Sequence, residues 1–339
     1  MQWNVKNIKT LHVEPSSNCN LSCPQCARNV LGEYLNPDLM VSELSIKWFT
    51  HLLPKKFIQQ LDKVYFCGAF GDPCMHKKLL DIIAFLKHTN PTIIIGINTN
   101  GSIRNTEWWS NCAKLLTNDR DYVMFAIDGL SDTNHIYRRN AQWHKIIENV
   151  NAYIENGGNA LWEFLVFKHN QHQVDDAKKL ADELGFNWFH TKITRRFENK
   201  NAPGIEPVEE HVKVNYEKLE ISCETLHKNE IYVSSYGWVL PCCHIGEELL
   251  DCNVDIKRRR SKLLNALGIK NGNLSLFKLE NNSIDKIINQ FNNINNTWLM
   301  PNYSTGKQPV CAETCGVIKN NIAIQKQWRE RIELNAFND

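Results

Sequence analysis

The chain has 339 residues, a formal net charge of +2 and 42% hydrophobic residues, enough for one large globular domain or two ordinary ones. The near balance of 39 basic and 37 acidic residues excludes a whole-surface field of the kind that draws nucleic acid or an anionic membrane. Met1 to Thr10 lacks the apolar core of a signal peptide and no apolar run is long enough to cross a bilayer, so a cytoplasmic protein with no membrane partner is expected.

From Thr10 to about His190, short apolar runs alternate with amphipathic stretches at helical spacing, which predicts strand-helix units around a parallel sheet. Strands are expected over Thr10–Glu14, Lys63–Phe66, Thr92–Asn98, Tyr122–Ile127, Leu161–Phe167 and Asn187–His190. Helices are expected over Glu43–Leu53, Lys77–His88, Trp108–Leu116, Trp143–Asn156 and Val174–Leu184, the last stopped by Gly185. Around Arg195–Pro207 the periodicity fades into a charged, Pro- and Gly-containing linker. Beyond it, Glu230–Leu240 reads as a small hairpin turning near Tyr236-Gly237, and Ile284–Phe291 as a helix in an Asn-rich region. The resulting division is residues 1–195, a linker over 196–220, and a C-terminal domain over 221–339.

Twelve cysteines are many for a reducing compartment, where they serve more often as metal ligands or catalytic groups than as disulfides. After the first strand, Ser17-Asn18-Cys19-Asn20-Leu21-Ser22-Cys23-Pro24-Gln25-Cys26 sets three thiols within eight residues. Three thiolates on one loop can wrap a cube of four irons and leave one iron open to a non-protein ligand. A structural zinc site wants a fourth ligand, and the nearby candidate is His12, inside the first strand.

At these residues the sequence resembles the radical S-adenosylmethionine (SAM) superfamily, whose cluster ligands stand where Cys19, Cys23 and Cys26 stand. The resemblance implies an α/β fold, a partial (β/α)6 barrel, and reductive cleavage of SAM on the open iron to a 5'-deoxyadenosyl radical that abstracts hydrogen from substrate. Gly71-Asp72-Pro73 is similar to the family's Gly-Gly-Glu-Pro segment, and Asn98-Thr99-Asn100-Gly101 and Ala126-Ile127-Asp128-Gly129 to its Thr-Asn-Gly and Ser-Ile-Asp-Gly segments. Ala126 stands where a serine that can contact SAM is common, so that contact is expected to be lost. Arg138 matches the arginine that pairs with the SAM carboxylate, a task suited to a guanidinium fork. Val166 and Phe167 match a strand that lines the adenine. SAM-binding roles are thereby implied for Gly71, Asp72, Pro73, Asn100, Arg138 and Val166.

Farther on come Cys223, the pair Cys242-Cys243, and Cys311-x3-Cys315, with Tyr236 to Pro241 leading into the pair. This pattern resembles the twitch auxiliary domain, a shortened relative of the SPASM domain. It implies a small α+β domain, a β-hairpin plus helix, holding a second 4Fe-4S cluster on Cys223, Cys242, Cys311 and Cys315. Cys243 is then the spare, and a zinc ribbon is the competing reading of four such cysteines. The Lys257-Arg258-Arg259-Arg260 run reads as solvated surface.

The expected activity is dehydrogenation of a small polar, sugar-like substrate, with the second cluster accepting an electron and a flavodoxin- or ferredoxin-type protein donating to the first. A peptide substrate is the alternative, against which stands the short segment before the first strand, with no leader-binding domain expected. Epimerisation is a third, with Cys252, Cys74 or Cys243 returning a hydrogen atom. Cys252 and Asp128 are the candidate catalytic groups, and Asn98 and Arg28 the candidate substrate contacts.

Overall fold

In the computed structural model, residues 2–193, 197, 202–208, 215–250, 254–269, 272–317 and 331–333 are described. Six parallel strands run in chain order: β1 (Thr10–Val13), β2 (Lys63–Phe66), β3 (Ile94–Thr99), β4 (Tyr122–Ala126), β5 (Ala160–Leu165) and β6 (Trp188–Lys192). Each lies within about two residues of its expected position, because the alternation that marks a strand in sequence is the same alternation that gives it a covered face and an open one. Val64, Phe66, Ile95, Ile97, Val123, Phe125, Trp162 and Phe164 are fully buried on the outer face. There they meet the helices: Phe125 packs on Trp109, Tyr153 and Phe186, and Trp162 on Phe186. Tyr65, Asn98, Met124, Leu161, Glu163 and His190 alternate with them and stay half-buried on the concave face.

The covering helices are α1 (Lys55–Gln60), α2 (Leu79–Thr89), α3 (Thr106–Leu115), α4 (Trp143–Glu155) and α5 (Val174–Leu184). Gly185 ends α5 in the left-handed region at φ +84, as a C-terminal glycine should. The helix expected over Glu43–Leu53 forms over residues 46–52, starting three residues late. Ser16 forms a bridge to Glu43 and Leu44 donates to the Pro15 carbonyl, which delays its start, and its Trp48–Leu52 part is π-helical.

The predicted hairpin forms from β7 (Glu230–Val233) and β8 (Val239–Leu240), with Gly237 at φ +78 in the turn. It is joined to the barrel sheet: β7 runs parallel to β1, pairing Thr10 with Glu230 and Val13 with Val233. A last strand, β9 (Arg331–Glu333), pairs antiparallel with β6, giving the order β8-β7-β1-β2-β3-β4-β5-β6-β9. After the hairpin come α6 (Cys243–Leu250), α7 (Val254–Ala266), α8 (Ile284–Trp298) and α9 (Pro309–Cys315). The helix expected at Ile284–Phe291 runs a further seven residues to Trp298, which packs with Phe291 against Trp3 near the N-terminus. The described part of the linker also packs inward: Phe197, Ala202 and Ile205 are buried with Leu21, Cys23, Tyr137 and Phe167. No helix among the described residues is long and apolar enough to cross a membrane.

Candidate active site and cysteine centres

The cysteine trio lies on the loop that leaves β1, at the carboxyl ends of the parallel strands, where open α/β sheets collect their ligands. Backbone bonds tie this loop to its neighbours: Asp72 N–H donates to the Asn18 carbonyl, Ser22 N–H to Arg139, and Ser17 N–H to Ser42. Gly71 passes so close that a Cβ there would stand 2.0 Å from the Ser16 carbonyl oxygen, so only glycine fits.

N–H groups point at the sulfurs. Leu21 N–H lies 3.4 Å and Asn100 Nδ2 3.8 Å from Cys19 Sγ, and Arg138 donates to Cys23. Burial pushes the Cys19 thiol far up and the Cys23 thiol up to about 12, so thiols in this setting keep their protons until a metal displaces them. Among the described residues, no three His, Cys, Asp or Glu side chains converge tightly enough to enclose a single metal ion. A four-iron cube is larger than one ion and takes its thiolates from farther apart. His12 spends Nε2 on the Cys67 carbonyl at 2.8 Å and stacks on Tyr65, and burial lowers its pKa to about 4.

The carboxylates and cations expected to touch ligands all make hydrogen bonds within the protein. Asp72 is 4% exposed and accepts from Cys74 N–H, Thr99 Oγ1 and Asn100 N–H at 2.8–3.0 Å, which clamps the loop after β2 to the end of β3. Asp128 is fully buried; one oxygen accepts from Leu165 N–H at 2.7 Å and the other from Arg138 Nε at 2.5 Å. Its burial keeps both oxygens from solvent, and its bond to Nε holds Arg138, whose side chain is 16% exposed. Arg28 is buried, donating to the Ser17 carbonyl and to Asn18 Oδ1, so it braces the trio loop from beneath. Asn100 is buried between Asn20, Ser102 and Cys19. Asn98 differs: it lies on the concave face, with its buried Oδ1 lacking any hydrogen-bond partner among the described residues. Val166, just past β5, donates its N–H to the Lys192 carbonyl and stays half-buried.

Of the cysteines considered as hydrogen donors, Cys74 is fully buried on the outer side near Cys112, and Cys252 lies outside the described residues.

Glu14 is a site residue that motif reading missed. Fully buried at the end of β1, it accepts from Phe70 N–H at 2.7 Å, Gly71 N–H at 2.9 Å and Tyr232 O–H at 2.6 Å. It thereby joins the loop after β2 to the C-terminal hairpin, and burial raises its pKa to about 7. Nothing local in Val13-Glu14-Pro15 distinguishes it from an ordinary strand-end carboxylate.

A second group of cysteines gathers beyond the hairpin. A two-residue ladder pairs Glu220–Ile221 with Gly316–Val317, and Ser222 N–H donates to the Cys315 carbonyl, which brings Cys223 to the end of α9. Cys311 and Cys315 are four residues apart on α9 and so share a face. The Cys315 thiol donates to Cys223, lowering the pKa of Cys223 and raising its own. Cys242 and Cys223 both oppose the ionisation of Cys311 and of Cys315, so the four thiols occupy one neighbourhood. The Cys243 thiol, raised by burial, is opposed in its ionisation first by its neighbour Cys242 and then by Cys67, Glu247 and Glu230. Arg259, from the basic run read as solvated surface, grips Glu313 between Cys311 and Cys315 with two bonds of 2.6 and 3.1 Å.

Residues 13–184, half of the chain, match the radical SAM superfamily. The chain belongs to that superfamily. It is 27% identical over 131 residues to the tungsten-containing aldehyde ferredoxin oxidoreductase cofactor-modifying protein of Pyrococcus furiosus, a match that covers 38% of this chain and spans only about a third of that relative, 33%. Among solved structures it resembles Streptococcus suis SuiB bound to precursor peptide SuiA, with a TM-score of 0.52 at 12% identity over 75% of this chain and 67% of that one. It is equally similar in fold to anSMEcpe with bound AdoMet and Cp18Cys peptide, at a TM-score of 0.52 and 15% identity over 90% and 88% of the two chains. At those identities the likeness is one of fold, and it covers most of the chain.

Proposed function

We propose that this radical SAM protein is a two-cluster oxidoreductase acting on a small polar, sugar-like substrate. Cys19, Cys23 and Cys26 would hold the first cube, with Gly71, Asp72, Pro73, Asn100, Arg138 and Val166 disposed around SAM. The N–H groups directed at Cys19 and Cys23 suit thiolates, which supports the fit. Bound there, the reduced cluster would supply one electron to cleave SAM into methionine and a hydrogen-abstracting deoxyadenosyl group.

The chain's own residues orient the reactants. Asp128 fixes one edge of the Arg138 guanidinium and so aims the remaining N–H groups at a carboxylate. Asp72 holds the Gly71 loop in place through its own bonds and leaves the backbone of that loop to meet the SAM ammonium. Asn98, with an unpartnered acceptor on the concave face, is a substrate contact. Arg28 and Asp128, buried and bonded within the protein, suit positioning roles.

The observation that carries the oxidoreductase reading is the gathering of Cys223, Cys242, Cys311 and Cys315. These four would hold a second cube with every iron ligated, a natural acceptor for one electron and a poor binder of substrate. A flavodoxin- or ferredoxin-type donor would reduce the first. The test is anaerobic reconstitution of wild type and a Cys19/Cys23/Cys26 triple-Ala variant, with iron, sulfide and 5'-deoxyadenosine measured. Wild type should carry about eight irons and the variant about four, with deoxyadenosine from wild type alone. Zinc without sulfide in the variant would remove the second cluster from the proposal.

A peptide substrate is the second reading, favoured by the two structural neighbours, each of which holds a peptide.

A further inference from the structure

The concave face carries an ion pair that the SAM-binding residues leave unused. Glu163 on β5 points to the same side as half-buried Leu161 and Leu165, opposite the buried Ala160, Trp162 and Phe164. In the register with β6, His190 lies beside Glu163 and Lys192 beside Leu165. The two charged groups stand 3.5 Å apart, with side chains 22% and 39% exposed. Other pairs of the barrel are closed far more tightly: Lys87–Asp121 and Arg138–Asp128 meet at 2.5 Å with carboxylates 1% and 0% exposed.

An ammonium has three donors and a carboxylate about four acceptor positions. Among the described residues, the Glu163 and Lys192 side chains find only each other, so most of that capacity is left unspent there. Ala126 on β4 is the register partner of Glu163 and contributes only a methyl group, which leaves room beside the carboxylate. Cys67 at the end of β2 shares the space, since Glu163 opposes its ionisation and Lys192 favours it. Asn98 Oδ1 adds an unpartnered acceptor on the same face.

We propose that Glu163 and Lys192 are the substrate-recognition pair of the barrel mouth, selecting a molecule with an anionic group next to a hydroxyl or amine donor. Lys192 takes the anion, and Glu163 and Asn98 accept from the neighbouring donor. This rests on the barrel mouth being the substrate site, and it narrows the sugar-like class to acidic members. The same chemistry occurs in an acidic residue of a peptide.

The experiment measures unfolding midpoints of the reconstituted, SAM-bound holoenzyme against rising concentrations of gluconate, glucitol and glucamine, which differ in charge on one scaffold. A second arm uses the tripeptides Gly-Asp-Gly and Gly-Asn-Gly. Ligand binding raises the midpoint by mass action whether or not turnover occurs, so the readout is independent of deoxyadenosine formation. Gluconate should bind about tenfold tighter than glucitol, the size of one charge-assisted hydrogen bond. A larger Asp-over-Asn preference in the tripeptide arm assigns the acid to a peptide. Lys192→Met should erase the preference, and Lys192→Glu should move glucamine ahead of gluconate. Equal binding of all three scaffolds by wild type, or an order that survives Lys192→Glu, overturns the proposal. Absence of deoxyadenosine from SAM and dithionite in wild type instead strikes the two-cluster function itself.

Discussion

Cys19, Cys23 and Cys26 sit on one loop of eight residues, whereas Cys223, Cys242, Cys311 and Cys315 come from a turn, the exit of a hairpin and a helix. The trio needs little beyond its own loop, since closing so short a segment costs little chain entropy. The quartet exists only because three separate tertiary contacts hold. β7 must pair with β1, the Glu220–Ile221 ladder must pair with Gly316–Val317, and Arg259 must grip Glu313. A local site is therefore readable from spacing, and a distributed one depends on packing that spacing does not encode.

That contrast is broken most sharply at adjacent residues. Cys242 is influenced by Cys223, and Cys243 by Cys242 and Cys67, and in the sequence only the resemblance separates the two. Cys242→Ala should cost the protein about four irons and their sulfides, while Cys243→Ala retains them. Elemental analysis after anaerobic reconstitution decides it. Iron lost from the Cys243 variant instead would mean that the helix turns as the cube binds.

Legibility follows the same division. The six barrel strands could be read because alternating burial leaves a period-two pattern, and α5 because a clear stripe ends in Gly185. α6 and α7 went unseen: α6 opens on the cysteine pair, and α7 contains Lys257-Arg258-Arg259-Arg260, which blurs any apolar stripe. In the site, motif positions single out Asp72, Asp128 and Arg28, but spacing does not say whether such a polar side chain faces a ligand or braces what does. Glu163 and Lys192 were hidden differently. Glu163 lies in a stretch that reads as core strand and Lys192 two residues past the expected end of the sixth strand, and only the pairing of β5 with β6 shows that they meet.

The next effect in size concerns the bracing residues. Asp128→Asn removes the partner of a guanidinium whose pair is closed at 2.5 Å, and breaking a buried pair from one side costs about 3–5 kcal/mol. Urea denaturation should show that loss, and the dissociation constant for SAM should rise about tenfold as Arg138 swings off its aim. Lost stability with SAM affinity intact would make Asp128 a matter of folding alone and sever it from the site.

The smallest effect tests the joint between the two regions. Glu14 binds the loop after β2 through Phe70 and Gly71 and the hairpin through Tyr232, so it couples the SAM side of the barrel to the segment that carries the quartet. Burial raises its pKa from 4.5 to about 7. The folded protein therefore holds this proton longer than the unfolded chain does. Its contribution to stability is fully present below pH 4.5 and is lost as pH rises through about 7. Gln at this position resembles the protonated form: its oxygen can accept from the two backbone N–H groups and its amide can donate to the Tyr232 oxygen. Glu14→Gln should thus match wild type near pH 5 and exceed it near pH 8 by about 1–3 kcal/mol, in urea titrations at both values. Parallel curves would mean that the carboxylate stays charged in the fold, with the joint made by ionic hydrogen bonds instead of neutral ones.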